Sequence, residues 1–376
     1  MQNKFLIIAG EASGDHYAAN IINEIKKLND NFKVFAIGSS KVKETGATLL
    51  EDADKLTVVG LTEVIKHLPY IYKVLKKVDK FLEKEKPDFV ILIDFPDFNF
   101  RVAKYAKKYN IPIFYFVSPQ IWAWRQNRVK FIEKHIKKLF VIFPFEVKFY
   151  ENFNINVEFA GHPLAEKIKN FKPEKNILSK NFNITLLPGS RESEIKKLLN
   201  IFLNAAKLIK KDYDNVNFFL PVAPTLNYEK IKNIIVSTAD FVNISNGNNY
   251  KILNNSDLVI SASGTATLES ALFGKPVIIV YKVNFFSYIL GRILIKVPYI
   301  GMPNLLLGKD YNPELIQYNA TSENIFLETK KFIENKGKYK KTVEKNKSLL
   351  NELYKENSFA YTAKKVLEIL NQDGIV

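Results

Sequence analysis

The sequence of 376 residues lacks cysteine and contains only four histidines. Without cysteine the chain has no disulfide, no thiolate nucleophile and no zinc site built on sulfur ligands, which suits a reducing compartment such as the cytoplasm. No two of the histidines have the spacing of a metal-binding pair; they are His16, His67, His135 and His162. We therefore expect no dedicated zinc site, and we expect no cofactor.

Arginine is scarce too, with only five residues among the 55 basic ones. The basic residues outnumber 39 acidic ones, and the net charge of +16 favours partners with negative charge, such as nucleic acid, anionic lipid or phosphorylated small molecules. Because the lysines are spread over the whole chain, they equally indicate a compositional bias. Each arginine present is a candidate for a planar donor of two hydrogen bonds to phosphate.

Long apolar runs are missing as well. The longest uncharged stretch, residues 109–124, contains Pro112 and Pro119 and is shorter than the roughly 20 apolar residues that span a bilayer. The apolar run at residues 5–9 is too short for a signal peptide. We expect a protein that is soluble or that rests on a membrane from one side.

Short apolar runs alternate with segments of helical spacing along most of the chain. Apolar strands separated by helices are typical of parallel sheets that are covered on both faces. Two such series predict an α/β fold with two Rossmann-like, doubly wound domains. We place them at residues 1–168 and 169–349, with a terminal helix at about 350–376 that is a candidate to pack back on the first domain. The predicted strands are residues 5–9, 32–37, 89–93, 113–117 and 139–143, and then 184–187, 218–222, 258–261 and 277–281.

The first motif, GEASGD at residues 10–15, directly follows an apolar run, where the ligands of parallel sheets bind. Its glycines and Ser13 permit a tight turn at a helix N-terminus, which suits anions or sugar hydroxyls. Glu11 and Asp15 would repel a pyrophosphate, so a neutral, hydroxyl-rich ligand fits better. The alternative is an ordinary turn with Asp15 as a helix cap.

The second motif, IDFPDFN at residues 93–99, also follows an apolar run. A partly desolvated aspartate at this place can act as a general base. The alternative is that the aspartates cap the next helix, and we expect this for one of the two.

The third motif, SPQIWAWR at residues 118–125, holds both tryptophans of the chain. Paired indoles beside Arg125 could hold a sugar, a base or an acyl chain. The alternative is a packed domain surface.

Two further loops lie in the second half of the chain. LLPGSR at 186–191 and SGTATLE at 263–269 each follow an apolar run and precede a helix. Amides at such a helix N-terminus favour anions, Arg191 adds a bidentate donor, and Glu269 could accept from ribose hydroxyls. Together the loops predict a cleft for a nucleotide diphosphate. MPNLLLG and PELIQ, at 302–317, could close the same cleft or be ordinary loops.

Taken together, these motifs resemble those of the lipid-A-disaccharide synthases, a family of inverting glycosyltransferases. The resemblance covers the chain from residue 10 to about 320, and the WAWR block is its most specific part. The matching segments are GEASGD at 10–15, IDFPDFN at 93–99, SPQIWAWR at 118–125, FPFE at 143–146, GHPL at 161–164, LLPGSR at 186–191, SGTATLE at 263–269, and MPNLLLG and PELIQ at 302–317.

The resemblance implies a GT-B architecture, in which two Rossmann-like domains face each other across a cleft. It implies that the second domain holds UDP-2,3-diacylglucosamine and the first holds 2,3-diacylglucosamine 1-phosphate, with no metal required. It makes Asp94 the catalytic residue. The candidates on the nucleotide side are Gly189, Ser190, Arg191, Ser263, Gly264, Thr265, Glu269 and Asn304, and those on the acceptor side are Ser13, Asp15, His16, Trp122 and Arg125.

Acylated substrates also imply contact with a membrane surface. Residues 61–77 are amphipathic, and residues 284–294 are rich in aromatic and aliphatic side chains, although either segment could instead be a helix packed on a sheet. We expect a peripheral protein on the cytoplasmic face of the inner membrane. The sequence leaves the oligomeric state open.

Two other functions stay as alternatives. One is a different UDP-sugar transferase or an epimerase of the same architecture. The other is a basic protein without catalytic activity that binds nucleic acid or a membrane surface; phosphate loops after successive strands and dispersed lysines argue against it, so we expect no nucleic-acid partner.

Overall fold

The computed structural model describes residues 3–56, 61–172, 181–247, 249–284, 288 and 297–376, with the backbone alone for Ala12 and residues 61–66. The chain forms two compact units. The first comprises Met1–Glu166 together with Lys355–Val376, and the second comprises Lys167–Tyr354.

The first unit is built on a parallel sheet. Its described strands are β1 (Lys4–Ala9), β2 (Lys33–Gly38), β3 (Thr48–Asp52), β4 (Phe89–Ile93), β5 (Ile113–Phe116), β6 (Lys138–Val141) and β7 (Val157–Phe159). They lie in the order β3-β2-β1-β4-β5-β6-β7. The order reverses between β1 and β4, so the segments that follow these two strands diverge and leave a crevice at the carboxyl edge.

Helices connect these strands and cover the sheet. They are α1 (Ala12–Leu28), α2 (Ser40–Glu44), α3 (Leu61–Glu85), α4 (Pro96–Lys108), α5 (Ile121–Trp124), α6 (Val129–His135), α7 (Pro144–Tyr150) and α8 (Pro163–Lys169), with 3₁₀ turns at Ala53–Lys55 and Gln126–Arg128.

The second unit has the same design. Its described strands are β8 (Phe182–Leu187), β9 (Val216–Val222), β10 (Val242–Asn246), β11 (Leu258–Ala262), β12 (Val277–Tyr281) and β13 (Glu314–Ile316). They lie in the order β10-β9-β8-β11-β12-β13, which reverses between β8 and β11. The remaining helices among the described residues are α9 (Glu192–Asp212), α10 (Tyr228–Thr238), α11 (Asn249–Asn255), α12 (Thr265–Leu272), α13 (Met302–Leu307), α14 (Ser322–Glu334), α15 (Lys336–Leu353) and α16 (Ser358–Gln372).

The central strands β4 and β11 are buried along their whole length. Every residue of β4 and of β11 is buried, as expected for strands that carry helices on both faces. The outermost strands differ: β3, β7, β10 and β13 are only partly buried. The prediction of two doubly wound α/β domains is confirmed. These four edge strands were not predicted, because they lack continuous apolar runs.

Helix α16 belongs to the first unit and packs against α1. The ring of Phe359 lies 5.8 Å from that of Tyr17 and 6.0 Å from that of Phe116. The Glu166 carboxylate fixes the start of the helix by accepting bonds from the amide and the hydroxyl of Ser358, at 3.1 and 2.7 Å. The C-terminal segment thus completes the core of the first unit.

Among the described residues, no helix combines the length and the apolar character that a membrane crossing requires. Residues 284–294, the second segment suggested for membrane contact, lie almost entirely outside the described residues.

Candidate active site

The carboxyl edge of the first sheet contains unusual backbone at two neighbouring strand ends. Asp94 and Phe95, which follow β4, have φ angles of +43° and +49°, and Val117, which follows β5, has a φ of +64°. A left-handed conformation costs a non-glycine residue about 1–2 kcal/mol, and it is rarest for a β-branched side chain such as valine. Strain of this kind concentrates at functional sites, where the surroundings hold it in place.

The Asp94 carboxyl is partly buried at this edge, directly after β4. Burial, together with the smaller effect of the negative charge of Glu11, raises the pKa of Asp94 to about 6, although a hydrogen bond from the Phe95 amide acts to lower it. Asp94 therefore has the pKa of a group that can accept a proton near neutral pH.

Asp97 is the second carboxylate of the same motif, and its surroundings are different. Its side chain is 73% exposed and pairs with the guanidinium groups of Arg128, at 2.6 Å, and Arg125, at 3.3 Å. Asp97 lies in the first turn of α4, where an acidic residue also favours the helix dipole. The two carboxylates thus divide into a partly desolvated one and an ion-paired one.

The GEASGD segment forms the turn from β1 into α1. Asp15 is buried, and its carboxylate accepts hydrogen bonds from the amides of Ser39, at 2.5 Å, and Lys41, at 2.9 Å. It therefore holds the start of α2. Ser13 and His16 are exposed on the first turns of α1, and the carbonyl of His16 accepts a bond from Asn20.

The SPQIWAWR segment contains one buried and one exposed indole. Trp122 is buried, and its Nε1 donates to the Glu146 carboxylate at 3.0 Å, while the amide of Phe143 donates to the other oxygen of Glu146 at 3.1 Å. This bond ties the segment after β5 to the segment after β6. Trp124 is 40% exposed, and the Arg125 guanidinium lies 4.0 Å from the centre of one of its rings.

The second unit contains a cavity of about 370 Å³ at the reversal point between β8 and β11. The loop after β8 and the loop after β11 both line it, and Pro221 and Ala223 at the end of β9 contribute as well. The cavity brings together the nucleotide-side candidates Gly189, Ser190, Arg191, Ser263, Gly264, Thr265 and Glu269.

The loop after β8 is shaped by Glu194, a residue that sequence reasoning did not single out. Its carboxylate accepts the amides of Ser190, at 2.8 Å, and Arg191, at 3.2 Å. Gly189 has a φ of +131°, and a Cβ atom there would lie 2.4 Å from the Glu194 carboxylate. Glycine is therefore required both for the backbone conformation and for the close approach of Glu194.

Three charged residues line this cavity: Arg191, Glu194 and Glu269. The Arg191 side chain is 70% exposed, and its Nη1 lies 3.6 Å from Glu194, so its guanidinium faces solvent. Glu269 accepts a bond from the Tyr250 hydroxyl at 3.0 Å, and burial raises the pKa of its carboxyl. The exposed backbone of Gly264 and Thr265 at the start of α12 completes the wall.

Asn304 lies apart from the residues that line this cavity. It is fully buried, and its amide donates to the carbonyl of Asn312 at 2.6 Å and to the Glu314 carboxylate at 2.9 Å. Its oxygen accepts the Asn312 amide at 3.0 Å. Asn304 thus joins α13 to β13 through internal bonds.

In the ranges that the structure describes, no three His, Asp or Glu side chains come together as they would around a metal ion.

Comparisons with known proteins identify the family. The family model for lipid-A-disaccharide synthetase matches residues 5–368. The lipid-A-disaccharide synthase of Nitrosococcus oceani is 40% identical over 336 residues, which is 88% of this chain and 87% of that protein. Lipid-A-disaccharide synthase 1 of Legionella pneumophila strain Paris is 39% identical over 362 residues, covering 94% and 92%.

Solved structures show the same fold at low sequence identity. The glycotransferase of kitacinnamycin has a TM-score of 0.65 at 12% identity and covers 98% of each chain. The UDP co-structure of MnaA from S. aureus has a TM-score of 0.64 at 12% identity and covers 100% and 98%. MurG from Acinetobacter baumannii has a TM-score of 0.61 at 14% identity and covers 97% and 99%.

These similarities confirm the expected GT-B fold with its two parallel-sheet units. Together with the match over nearly the whole sequence, they decide the family: the chain belongs to the lipid-A-disaccharide synthases, glycosyltransferases of lipid A biosynthesis that act on sugar-nucleotide and lipid substrates.

Proposed function

We propose that the chain transfers the sugar of UDP-2,3-diacylglucosamine to 2,3-diacylglucosamine 1-phosphate, giving the β-1,6-linked disaccharide 1-phosphate and UDP. The family supports the reaction class, and one structural observation carries the assignment of the donor. The cavity at the reversal point of the second sheet combines backbone at a helix N-terminus with the Arg191 guanidinium, the chemistry that binds a diphosphate.

In the proposed mechanism, Asp94 is the general base. Its carboxylate takes the proton from the 6-hydroxyl of the acceptor, and the oxygen attacks the anomeric carbon on the face opposite UDP. The bond between the anomeric carbon and the phosphate oxygen breaks, its electron pair leaves with UDP, and the configuration is inverted. The pKa of about 6 supports this role, since the carboxyl is then largely ionised at neutral pH and still basic enough to accept a proton.

The proposed role of the second unit is to stabilise the leaving group. Negative charge builds up on the diphosphate as the sugar bond breaks, and donors fixed in advance stabilise that charge most in the transition state. Arg191 supplies a full positive charge. The start of α12 at Gly264 and Thr265 supplies the positive end of a helix dipole. These groups provide a positive field without a metal ion.

The candidates on the acceptor side differ in the solvent exposure of their side chains. Ser13, His16 and Arg125 present side chains to solvent and are proposed to contact the acceptor. Asp15 and Trp122 are buried in hydrogen bonds, so they are proposed to act through the backbone that they hold.

The reaction itself is the first test. We expect purified protein, incubated with both diacylated sugars in the presence of EDTA, to release UDP and to form one disaccharide 1-phosphate with a β linkage. UDP release without the acceptor, or a rearranged UDP-sugar, would indicate an epimerase or a hydrolase instead. Activity that EDTA abolishes and Mg²⁺ restores would contradict the metal-independent mechanism.

We further propose that the enzyme rests on the cytoplasmic face of the inner membrane through α3. The solvent-exposed side of this helix has a groove of about 650 Å³ lined by Tyr70 and Tyr72 and by lysines, and the Lys76 ammonium lies 4.8 Å from the Tyr72 ring centre. Lysines mixed with aromatic residues suit the interface of an anionic leaflet. The lysines of this groove are Lys73, Lys76, Lys77 and Lys80.

Vesicle binding tests the membrane proposal. Each lysine near an anionic surface contributes about 1 kcal/mol, so replacing the four groove lysines by glutamine is expected to weaken binding to phosphatidylglycerol vesicles at least tenfold. High salt should weaken wild-type binding in the same way. The matched control replaces four exposed lysines of α15, Lys336, Lys340, Lys341 and Lys345, and should bind as wild type does. Binding that is insensitive to both salt and the groove variant would contradict the proposal.

A further inference from the structure

The strained conformation at Asp94 requires an explanation, because nothing in the type of residue favours it. Two consecutive residues, Asp94 and Phe95, are left-handed, and neither is glycine. The chain could relax locally unless specific contacts opposed that relaxation. The question is which side chains hold this backbone.

Two side chains converge on one atom, the main-chain carbonyl oxygen of Asp94. The Tyr115 hydroxyl donates to it, and the side-chain amide of Asn99 donates to it at 2.7 Å. The Asn99 amide also donates to the preceding carbonyl, that of Ile93, at 3.2 Å. A carbonyl oxygen has two lone pairs, and here both have a side-chain donor. The peptide that joins Asp94 to Phe95 is therefore fixed in direction.

The donors are themselves held within the core. Tyr115 and Asn99 are both fully buried, the first in β5 beside β4 and the second on α4. On the other side of the turn, the Phe95 ring packs directly over Gly10, where a Cβ atom would lie 2.2 Å from the ring. Contacts from β5, from α4 and from the end of β1 thus hold the turn at Asp94 in place.

We infer that Tyr115, supported by Asn99, is a positioning residue for the transferase reaction: it holds the Asp94 peptide in its left-handed form and so fixes the direction of the Asp94 carboxylate toward the acceptor hydroxyl. This inference rests on the proposed function of Asp94 as the base. Tyr115 has no exposed surface and acts through Asp94, without contact to either substrate. We call the hydrogen bonds from Tyr115 and Asn99 to the Asp94 carbonyl the clamp. A base that is misplaced by about 1 Å loses much of its rate advantage, so loss of the clamp is expected to lower kcat.

The competing explanation is that the Tyr115 hydroxyl merely satisfies a buried carbonyl. In that case its loss would cost stability and would affect activity only as far as the fold loosens. The chain offers a matched control in Tyr150, a second fully buried tyrosine, whose hydroxyl lies 2.5 Å from that of Ser118. Tyr115→Phe and Tyr150→Phe each remove one buried hydroxyl and nothing else.

We expect Tyr115→Phe to lower kcat at least tenfold, with KM for both substrates and the Kd for UDP within twofold of wild type. Tyr150→Phe should leave kcat within twofold at a similar loss of Tm. In the Asp94→Asn background, Tyr115→Phe should have no further effect on residual turnover, because a residue that acts through Asp94 has nothing left to position. Equal kcat losses in the two tyrosine variants, or an additive loss in the double variant, would overturn the inference.

A measurement that needs no turnover separates this inference from the proposed function. The ionisable groups that interact electrostatically with the Asp94 carboxyl are Glu11, which follows β1, and the Tyr115 phenol on β5; Asp97 on α4 interacts in turn with that phenol. When the clamp is removed, the carboxyl can turn toward water, and its pKa, followed by NMR of the labelled carboxyl carbon, should fall toward the ordinary value. An unchanged pKa of Asp94 in Tyr115→Phe would contradict the inference about Tyr115, whether or not the wild-type protein makes the disaccharide. A wild-type protein that makes no disaccharide would contradict only the proposed function.

Discussion

Asp94→Asn is expected to lower kcat about a thousandfold, because an amide cannot accept the proton of the attacking hydroxyl and a general base typically contributes 10²–10⁴-fold. The variant should keep its fold, since asparagine is among the residues that best tolerate a positive φ, and Asp94 has a φ of +43°. Binding of UDP, proposed for the second unit, should stay within twofold of wild type. Steady-state kinetics and calorimetric titration with UDP measure the two effects separately.

The control for this variant comes from the same motif. Asp97 is exposed and paired with Arg125 and Arg128, so Asp97→Asn should reduce kcat by no more than several-fold. Near-normal turnover in Asp94→Asn, or a larger loss in Asp97→Asn, would show that the base has been assigned to the wrong carboxylate.

The pH profile provides an independent check on Asp94. The base is active when deprotonated, and its pKa is about 6, so kcat/KM should fall tenfold for each pH unit below 6 and level off above it. The ordinary pKa of an aspartate, close to 4, would instead leave activity flat down to that pH. The residual activity of Asp94→Asn should not show this fall in kcat/KM below pH 6. If the fall persists in the variant, it is caused by the titration of another group.

The sequence allowed the fold to be predicted from its central strands and not from its edges. Strands such as β4 and β11 are buried on both faces, and their unbroken apolar runs make them recognisable. The edge strands β3 and β13, with the sequences TLLED and ELI, are short and half exposed. Their structure depends on pairing with a neighbour, which a local pattern does not record.

The candidate site follows the same division. The motif at residues 93–99 and the loops around Gly189 and Gly264 were predicted because polar or small residues directly follow apolar runs, whereas the choice of Asp94 within its motif came from the resemblance to the family. Tyr115 could not be predicted, because within the run IFYF it is indistinguishable from a core residue. Glu194 had a detectable signal, since an acidic residue three positions after a helix start often bonds back to that start. Its contact with the loop nevertheless depends on the positive φ of Gly189, a backbone conformation that the residue types alone do not specify.

Arg191→Ala is the second variant for which we expect a large effect, a loss of about a hundredfold in kcat. Removing one preorganised group that stabilises developing charge typically costs 10²–10³-fold, and Arg191 is the arginine among the residues lining the cavity. Arg191→Lys should recover only part of the loss, because an ammonium keeps the charge but not the planar pair of donors. The fold should be unaffected, since the side chain is 70% exposed.

Arg101→Ala is the matched control, because Arg101 is also exposed at the surface, on α4 of the first unit, and carries the same charge. The effect of Arg191 could be only a general electrostatic attraction of an anionic substrate to a chain of net charge +16. In that case both alanine variants would raise KM slightly and equally, and 0.5 M salt would abolish the difference from wild type. A specific contact with the departing diphosphate predicts a fall in kcat that is confined to Arg191→Ala and persists in high salt. An unchanged kcat in Arg191→Ala would require the leaving group to be stabilised by the start of α12 without help from the loop after β8.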